Sequence, residues 1–184
     1  QRQMCIRDSF GASDGRVGAS IRKPRIIACS PYDSSALVAT GQSYALAWFP
    51  SLVRAREVQI GGWDILAVCF GREGFVVSDV ADSSPSKIYA FGSDGAEWWR
   101  VEMEPGWNAP WLGFLETRRE WVAIAQDPSQ AHPPRLLRWS LAGQMVASRS
   151  IEPAQDYVFA ATGRLLFAPS FVLDTETGEV IGSA

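Results

Sequence analysis

An all-β fold is predicted for this chain by three observations. Four segments repeat one pattern of apolar strand, tight polar turn and apolar strand: residues 44–60, 88–101, 136–147 and 171–182. The turn glycines Gly95, Gly143 and Gly178 are spaced by 48 and 35 residues, a range typical of repeats built from short strands. No segment carries a sustained apolar stripe at i, i+3 and i+4, so helix is not expected. Short strands in repeats of about 40 residues predict a β-propeller arc of about four blades, each a four-stranded antiparallel sheet.

The elements follow in order. The first blade is expected over residues 26–60, with strands at 26–29, 36–39, 44–49 and 57–60 and a turn near 50–56. The second spans 64–103, with strands at 65–70, 75–78, 87–91 and 97–103. The third spans 111–151, with strands at 111–115, 121–125, 135–139 and 145–151. The fourth spans 156–184, with strands at 157–161, 164–168, 171–174 and 179–181. Asp94-Gly95 is a hairpin signal because glycine accepts positive φ without steric cost. Pro31, Pro85, Pro128, Pro133 and Pro134 fall between strands, where a missing backbone donor does no harm. A lone blade exposes both faces, and stacking neighbours bury them, which accounts for runs apolar on both faces. Trp48, Phe91 and Trp139 share one position at the end of the third strand, with Leu173 in the fourth repeat, and read as inter-blade core.

The two ends are read apart from the repeats. Residues 4–9 (Met4, Cys5, Ile6, Arg7, Asp8, Ser9) resemble a translated sequencing adapter, so residues 1–9 are expected to be a library artefact. Residues 10–184 are then the propeller, and residues 10–21, where Asp14-Gly15 repeats the later turn, are expected to be the tail of an earlier blade. On this reading the chain is a fragment assembled from raw reads.

Composition bounds the function. Hydrophobic residues make up 47% and charged residues 20% of 184, as in an ordinary globular domain with a sizeable core. The net charge of −3 and pI near 5.2 argue against nucleic acid as a partner. Arg22, Lys23 and Arg25 form the densest positive patch and read as a solvated inter-blade loop. No apolar run approaches the roughly 18 residues of a membrane span. Cys29 and Cys69 read as small buried thiols at matching places. One histidine and no Cys-x-x-Cys spacing leave no zinc motif.

The loops joining second to third strands, and one blade to the next, share one propeller face. That face would carry residues 61–64, 79–86, 104–108, 127–135 and 152–155. Trp63 and Trp107 are equivalent, each preceded by glycine, and so are Asp79 and Asp127. An exposed indole offers apolar area and one donor, which suits recognition of a protein or peptide. Alternatively, each tryptophan folds back to plug the blade beneath it. The aspartates either ring a channel that could admit a small molecule or cap their own turns. His132 lies in a Pro-rich loop and reads as a further binding candidate or as an ordinary exposed histidine. Gly-x-Ser-x-Gly, phosphate-loop and His-Glu-x-x-His motifs are absent, so no catalytic residue, metal or cofactor is assigned.

Residues 28–33 with 36–41 resemble the inner hairpin of a WD40 repeat. Residues 87–98, and again 172–180, resemble quinoprotein-like (PQQ-like) repeats, with Trp98 where those repeats place a docking tryptophan. These resemblances imply a propeller whose role is a non-catalytic interaction or scaffold module. The alternative they imply is a propeller enzyme of quinoprotein, lactonase or glycoside hydrolase type, its site completed by further blades. The chain has no Cys-Cys pair of the kind found in quinoprotein alcohol dehydrogenases.

Overall fold

The computed structural model describes residues 25–39, 43–48, 53–61, 64–80 and 85–183. Within them the chain forms four four-stranded sheets, each running antiparallel in strand order. Sheet 1 contains β1 (Arg25–Cys29), β2 (Ser35–Ala39), β3 (Tyr44–Trp48) and β4 (Val53–Val58). Sheet 2 contains β5 (Asp64–Phe70), β6 (Gly74–Val80), β7 (Lys87–Gly92) and β8 (Glu97–Glu102). Sheet 3 contains β9 (Asn108–Leu115), β10 (Glu120–Gln126), β11 (Arg135–Ser140) and β12 (Met145–Ser150). Sheet 4 contains β13 (Val158–Phe159), β14 (Leu165–Phe167), β15 (Phe171–Asp174) and β16 (Glu179–Ser183). None of the described residues forms a helix long and apolar enough to cross a membrane.

The first strands stand side by side, β1 by β5, β5 by β9 and β9 by β13. Burial follows from that arrangement. β6 and β10 are buried along almost their whole length, whereas β8, β12 and β16 form a largely exposed rim. Most of the core lies in three seams between successive sheets, and a fourth cluster, Ala36, Val38 and Ala47, is buried on the other face of sheet 1. In each seam an aliphatic face of the earlier sheet receives a cross-strand row of the later one. Leu37 and Leu46 meet the row Phe70, Phe75 and Phe91. Val76, Ile88 and Ala90 meet Phe114, Trp121 and Trp139. Val122, Ile124 and Leu136 meet Phe159, Leu166 and Leu173. Ring centroids within the first two rows lie 4.6–5.2 Å apart where they touch, in tilted or stacked pairs. Each fully buried side chain of this size contributes roughly 1.5–3 kcal/mol of transfer free energy.

The turn glycines lock the seams. Gly95, Gly143 and Gly178 all have positive φ, and each packs on a side chain from the outermost strand of the preceding sheet. These partners are Arg56, Trp99 and Arg149, respectively. Trp99 Nε1 donates to the Leu141 carbonyl at 2.8 Å, and Arg149 donates to the Thr177 carbonyl. Arg56 lies 3.5 Å from Asp94. The repeated glycine therefore serves both the turn and the close approach of neighbouring sheets.

Every outermost strand carries a β-bulge just after its turn. The extra residue is Ala55, Trp98, Val146 or Ile181. The bulge in β8 reverses the face expected for the paired tryptophans. Trp98 points to solvent, and it is Trp99 that docks on the next sheet.

Other expectations are corrected. β4 begins at Val53, four residues ahead of the predicted strand, because Trp48 pairs with Val53 across a short connection. Cys29 is exposed and Cys69 only partly buried. By register Cys29 aligns with Phe70, since both pair with the first inward residue of the second strand. Burial of the Cys69 sulfur pushes its thiol up to about 12 even though the residue is not wholly enclosed. Residues 1–24, including the suspected adapter, the 10–21 hairpin and most of the basic patch, lie outside the described residues, as does the Trp48 side chain.

Candidate functional site

Two loops build the site, one between sheets 2 and 3 and one within sheet 3. The first is Glu104-Pro105-Gly106-Trp107, whose Pro–Gly centre is the signature of a type II turn. Gly106 adopts φ +81°, and the Trp107 amide donates to the Glu104 carbonyl at 2.9 Å. This turn sends Trp107 back between the sheets, where it is buried beside Met103 and Ala125. The second loop opens with Asp127-Pro128-Ser129-Gln130. Asp127 Oδ1 accepts from the Ser129 amide at 2.9 Å and from its hydroxyl at 2.6 Å, and the Gln130 amide donates to the Asp127 carbonyl at 2.9 Å. Pro133 and Pro134 then carry the chain into β11, with the Pro134 carbonyl accepting from the Ile151 amide at 2.9 Å.

The loops meet at Trp107. The His132 ring lies 6.0 Å from the indole, and its Nδ1 is 3.0 Å from Asp127 Oδ2. The Arg135 guanidinium sits 4.5 Å from the indole centroid and donates to Glu104 Oε1 at 2.6 Å. Hydrogen bonds from the Ser129 hydroxyl, then from His132 and the Ser129 amide, pull the Asp127 carboxyl down to about 2. Ser129 bonds the carboxylate and not the imidazole, so these three residues do not form a hydroxyl–imidazole nucleophile pair.

Three of the five sequence candidates, Trp107, Asp127 and His132, are thus brought together. Trp63 lies outside the described residues. Asp79 is elsewhere and is not on a loop. β6 continues to Val80, and the Asp79 carboxylate is buried, accepting from the Lys87 amide at 2.6 Å and the Tyr89 hydroxyl at 2.9 Å. Tyr89 in turn accepts from the Gly61 amide at 2.9 Å, so this group ties the exit of sheet 1 to sheet 2. Burial, then the bond to Asp79, pushes the Tyr89 phenol up to about 12. Trp107 is folded inward, so the cluster offers the His132 and Arg135 side chains above the indole in place of an exposed ring.

Arg135, Glu104 and the methionines Met103 and Met145 join the site without having been singled out in the sequence. Glu104 and Arg135 lie within the loop segments expected on that face, whereas nothing in the sequence marks Met103, which follows β8, or Met145, which opens β12. On the opposite face, formed by the turns between first and second strands, side chains bridge neighbouring repeats. Tyr32 donates to Glu116 at 3.0 Å, and Arg119 pairs with Glu73. Among the described residues no group of three or more His, Cys, Asp or Glu is placed to hold a metal ion.

No family model and no curated protein sequence matches the chain. Solved structures do. The β-propeller domain of Cps50 (Swd1) from Myceliophteria thermophila aligns with a TM-score of 0.59 at 12% identity, over 88% of this chain and 58% of that one. Chaetomium thermophilum Sqt1, bound to the N-terminus of the ribosomal protein L10, aligns with a TM-score of 0.56 at 15% identity, over 76% of this chain and 39% of that one. The dihydro-heme d1 dehydrogenase NirN in complex with DHE aligns with a TM-score of 0.59 at 15% identity, over 89% and 36%. The chain spans between about a third and three fifths of these proteins. At such identities the likeness is one of fold, and the described residues form an arc of four β-propeller blades.

Proposed function

We propose that this chain is a protein-binding propeller module that holds a partner segment across its loop face. The observation that carries this reading is the convergence of His132 and Arg135 on Trp107, from loops of two different repeats. Aromatic and arginine side chains gathered at one place are the usual anchors of protein interfaces. A propeller of similar fold, Sqt1, carries the N-terminus of a ribosomal protein. That supports the reading by fold analogy alone.

The test is selection from a displayed random-peptide library against the purified chain. The expected result is an enriched consensus whose affinity falls at least about threefold in Arg135→Ala, as for a rim charge. Successive rounds that enrich nothing above a no-protein control would overturn the proposal.

The second reading is a propeller enzyme, favoured by one observation, the His132–Asp127 pair at 3.0 Å. A carboxylate on Nδ1 is how an imidazole is oriented for proton transfer. The likeness to NirN supports this reading by fold alone. Such an enzyme would take its remaining groups from blades beyond these four.

A further inference from the structure

A cavity of about 130 Å³ opens to solvent beside the Trp107 cluster, in the seam between sheets 2 and 3. Its apolar lining includes Trp107, Ala125, Leu137 and Trp139, all buried. Met103 and Met145 complete it from the two sheets. Resting on the protein-binding reading above, we infer that this cavity takes one apolar side chain of leucine, methionine or phenylalanine size. The side chain comes from an extended partner segment with a lysine or arginine beside it.

Size selects the occupant. Sites for small molecules run to roughly 300–1,000 Å³, well above this volume. A dry cavity of about 150 Å³ accommodates benzene, so the present one matches a single side chain. Thioether side chains on both sides adapt their shape to an incoming group, which widens the choice among apolar anchors.

Charge selects what flanks the anchor. One ion pair lies at the mouth, Arg135–Glu104 at 2.6 Å. The pair sums to zero, but its members are not equally displayed. The Glu104 side chain is 60% exposed, whereas that of Arg135 is 34% exposed. An approaching segment therefore meets negative charge first, on a chain whose net charge is −3. Complementary steering favours a basic partner.

The methionines supply a direct readout. The chain has three, and Met103 and Met145 both line the cavity. The full chain labelled with ¹³C-methyl methionine is titrated with a capped peptide carrying leucine between two lysines. The Met103 and Met145 methyl signals, assigned by single Met→Leu variants, are expected to shift together. Replacing the leucine by alanine is expected to weaken binding about tenfold or more. Replacing both lysines by glutamates is expected to weaken it about three- to tenfold. Ala125→Leu fills the cavity and is expected to abolish the shifts while leaving the circular dichroism spectrum and melting temperature within a few degrees.

Library-selected peptides that bind without moving either methyl signal, and bind Ala125→Leu equally well, would sink the cavity assignment and leave the protein-binding reading intact. If neither the designed peptide nor any library peptide binds, both readings fall. Equal binding of the glutamate-flanked peptide removes the charge preference. Should Ala125→Leu not fold, Ser148→Trp, an exposed substitution at the cavity lining, serves as the blocking variant.

Discussion

Trp107 combines two roles that a single substitution will separate. Its indole is buried in the seam between sheets 2 and 3, and it is also the platform on which Arg135 and His132 rest. Trp107→Ala is expected to destabilise the chain by about 3–5 kcal/mol, the range for removing a buried tryptophan. Arg135→Ala removes a cation–π contact worth roughly 0.5–1 kcal/mol at an exposed site. Urea unfolding of the two variants checks the order, and a loss from Trp107→Ala no larger than that from Arg135→Ala would contradict the burial. Asp127 is tested by pH. Its folded-state carboxyl lies near 2, below the ordinary value of 3.8, so the stability it adds is fully present above that ordinary value. The contribution is lost as pH falls through the folded-state value. The gap in urea midpoint between the parent chain and Asp127→Asn should therefore be widest above about pH 4 and close toward pH 2. A gap that does not change with pH would show that the hydrogen bonds do not favour the ionised form. At this scale the sequence was half legible. Glycine and proline neighbours marked Trp107, Asp127 and His132 as loop residues. The inward fold of Trp107 was one of the two alternatives the sequence offered, and Pro105-Gly106 marks the turn, but nothing in the sequence showed that a loop some twenty residues on would come into contact with the indole. Asp79 misled for the converse reason. A carboxylate at the head of a Ser- and Pro-containing segment reads as loop, and the Lys87 amide and Tyr89 hydroxyl across the sheet are what satisfy it when buried in a strand.

The hairpin turn is the element on which the architecture depends. Gly143 has φ +80°, and a Cβ there would lie 2.6 Å from the Trp99 ring. Gly106 has φ +81° with open space where its Cβ would be. The two glycines thus share a backbone requirement and differ in packing. Gly106→Ala should cost about 1–2 kcal/mol, the left-handed penalty for an L-residue. Gly143→Ala should cost that plus roughly 1–3 kcal/mol for overpacking against the ring. Thermal or urea unfolding of both variants measures the difference. Equal costs would mean that the glycine serves the turn alone and that Trp99 is not held against it. The repeated glycine was the plainest signal in the sequence, because positive φ leaves few alternatives. Its second role was hidden, since it depends on which residue of Trp98 and Trp99 faces inward. Alternation along β8 is interrupted by a one-residue bulge, and a bulge leaves no compositional mark. Strand existence was legible from period-two patterning, whereas strand facing was not.

Across the whole molecule the seams are directional, an aliphatic face meeting the row of the following sheet, and this polarity sets what the last sheet displays. By register Val158, Leu165, Phe167 and Val172 occupy on sheet 4 the face that Val122, Ile124 and Leu136 occupy on sheet 3. On sheet 3 that face is buried. On sheet 4 Val158 is 59% and Phe167 43% exposed. The all-β architecture was legible because every repeat had to carry two apolar faces. On sheet 4 the corresponding face is open among the described residues. A contiguous apolar face of this kind is an association surface in water. The purified chain is therefore expected to self-associate at tens to hundreds of micromolar, with a weight-average mass that rises with concentration in sedimentation velocity. Phe167→Lys with Val158→Thr should suppress the rise. The double substitution should change the urea midpoint little, because surface positions outside a packed core typically contribute within about 0.5 kcal/mol. A parent chain that stays monomeric over this range would show that the face is too small or too well hydrated to drive association. Association that persists in the double variant would place the contact elsewhere, with the bulged rim residues Trp98, Val146 and Ile181 the next to be replaced. Suppression without loss of stability would establish that one physical rule, an apolar face on each side of every sheet, governs both how this chain folds and where it sticks.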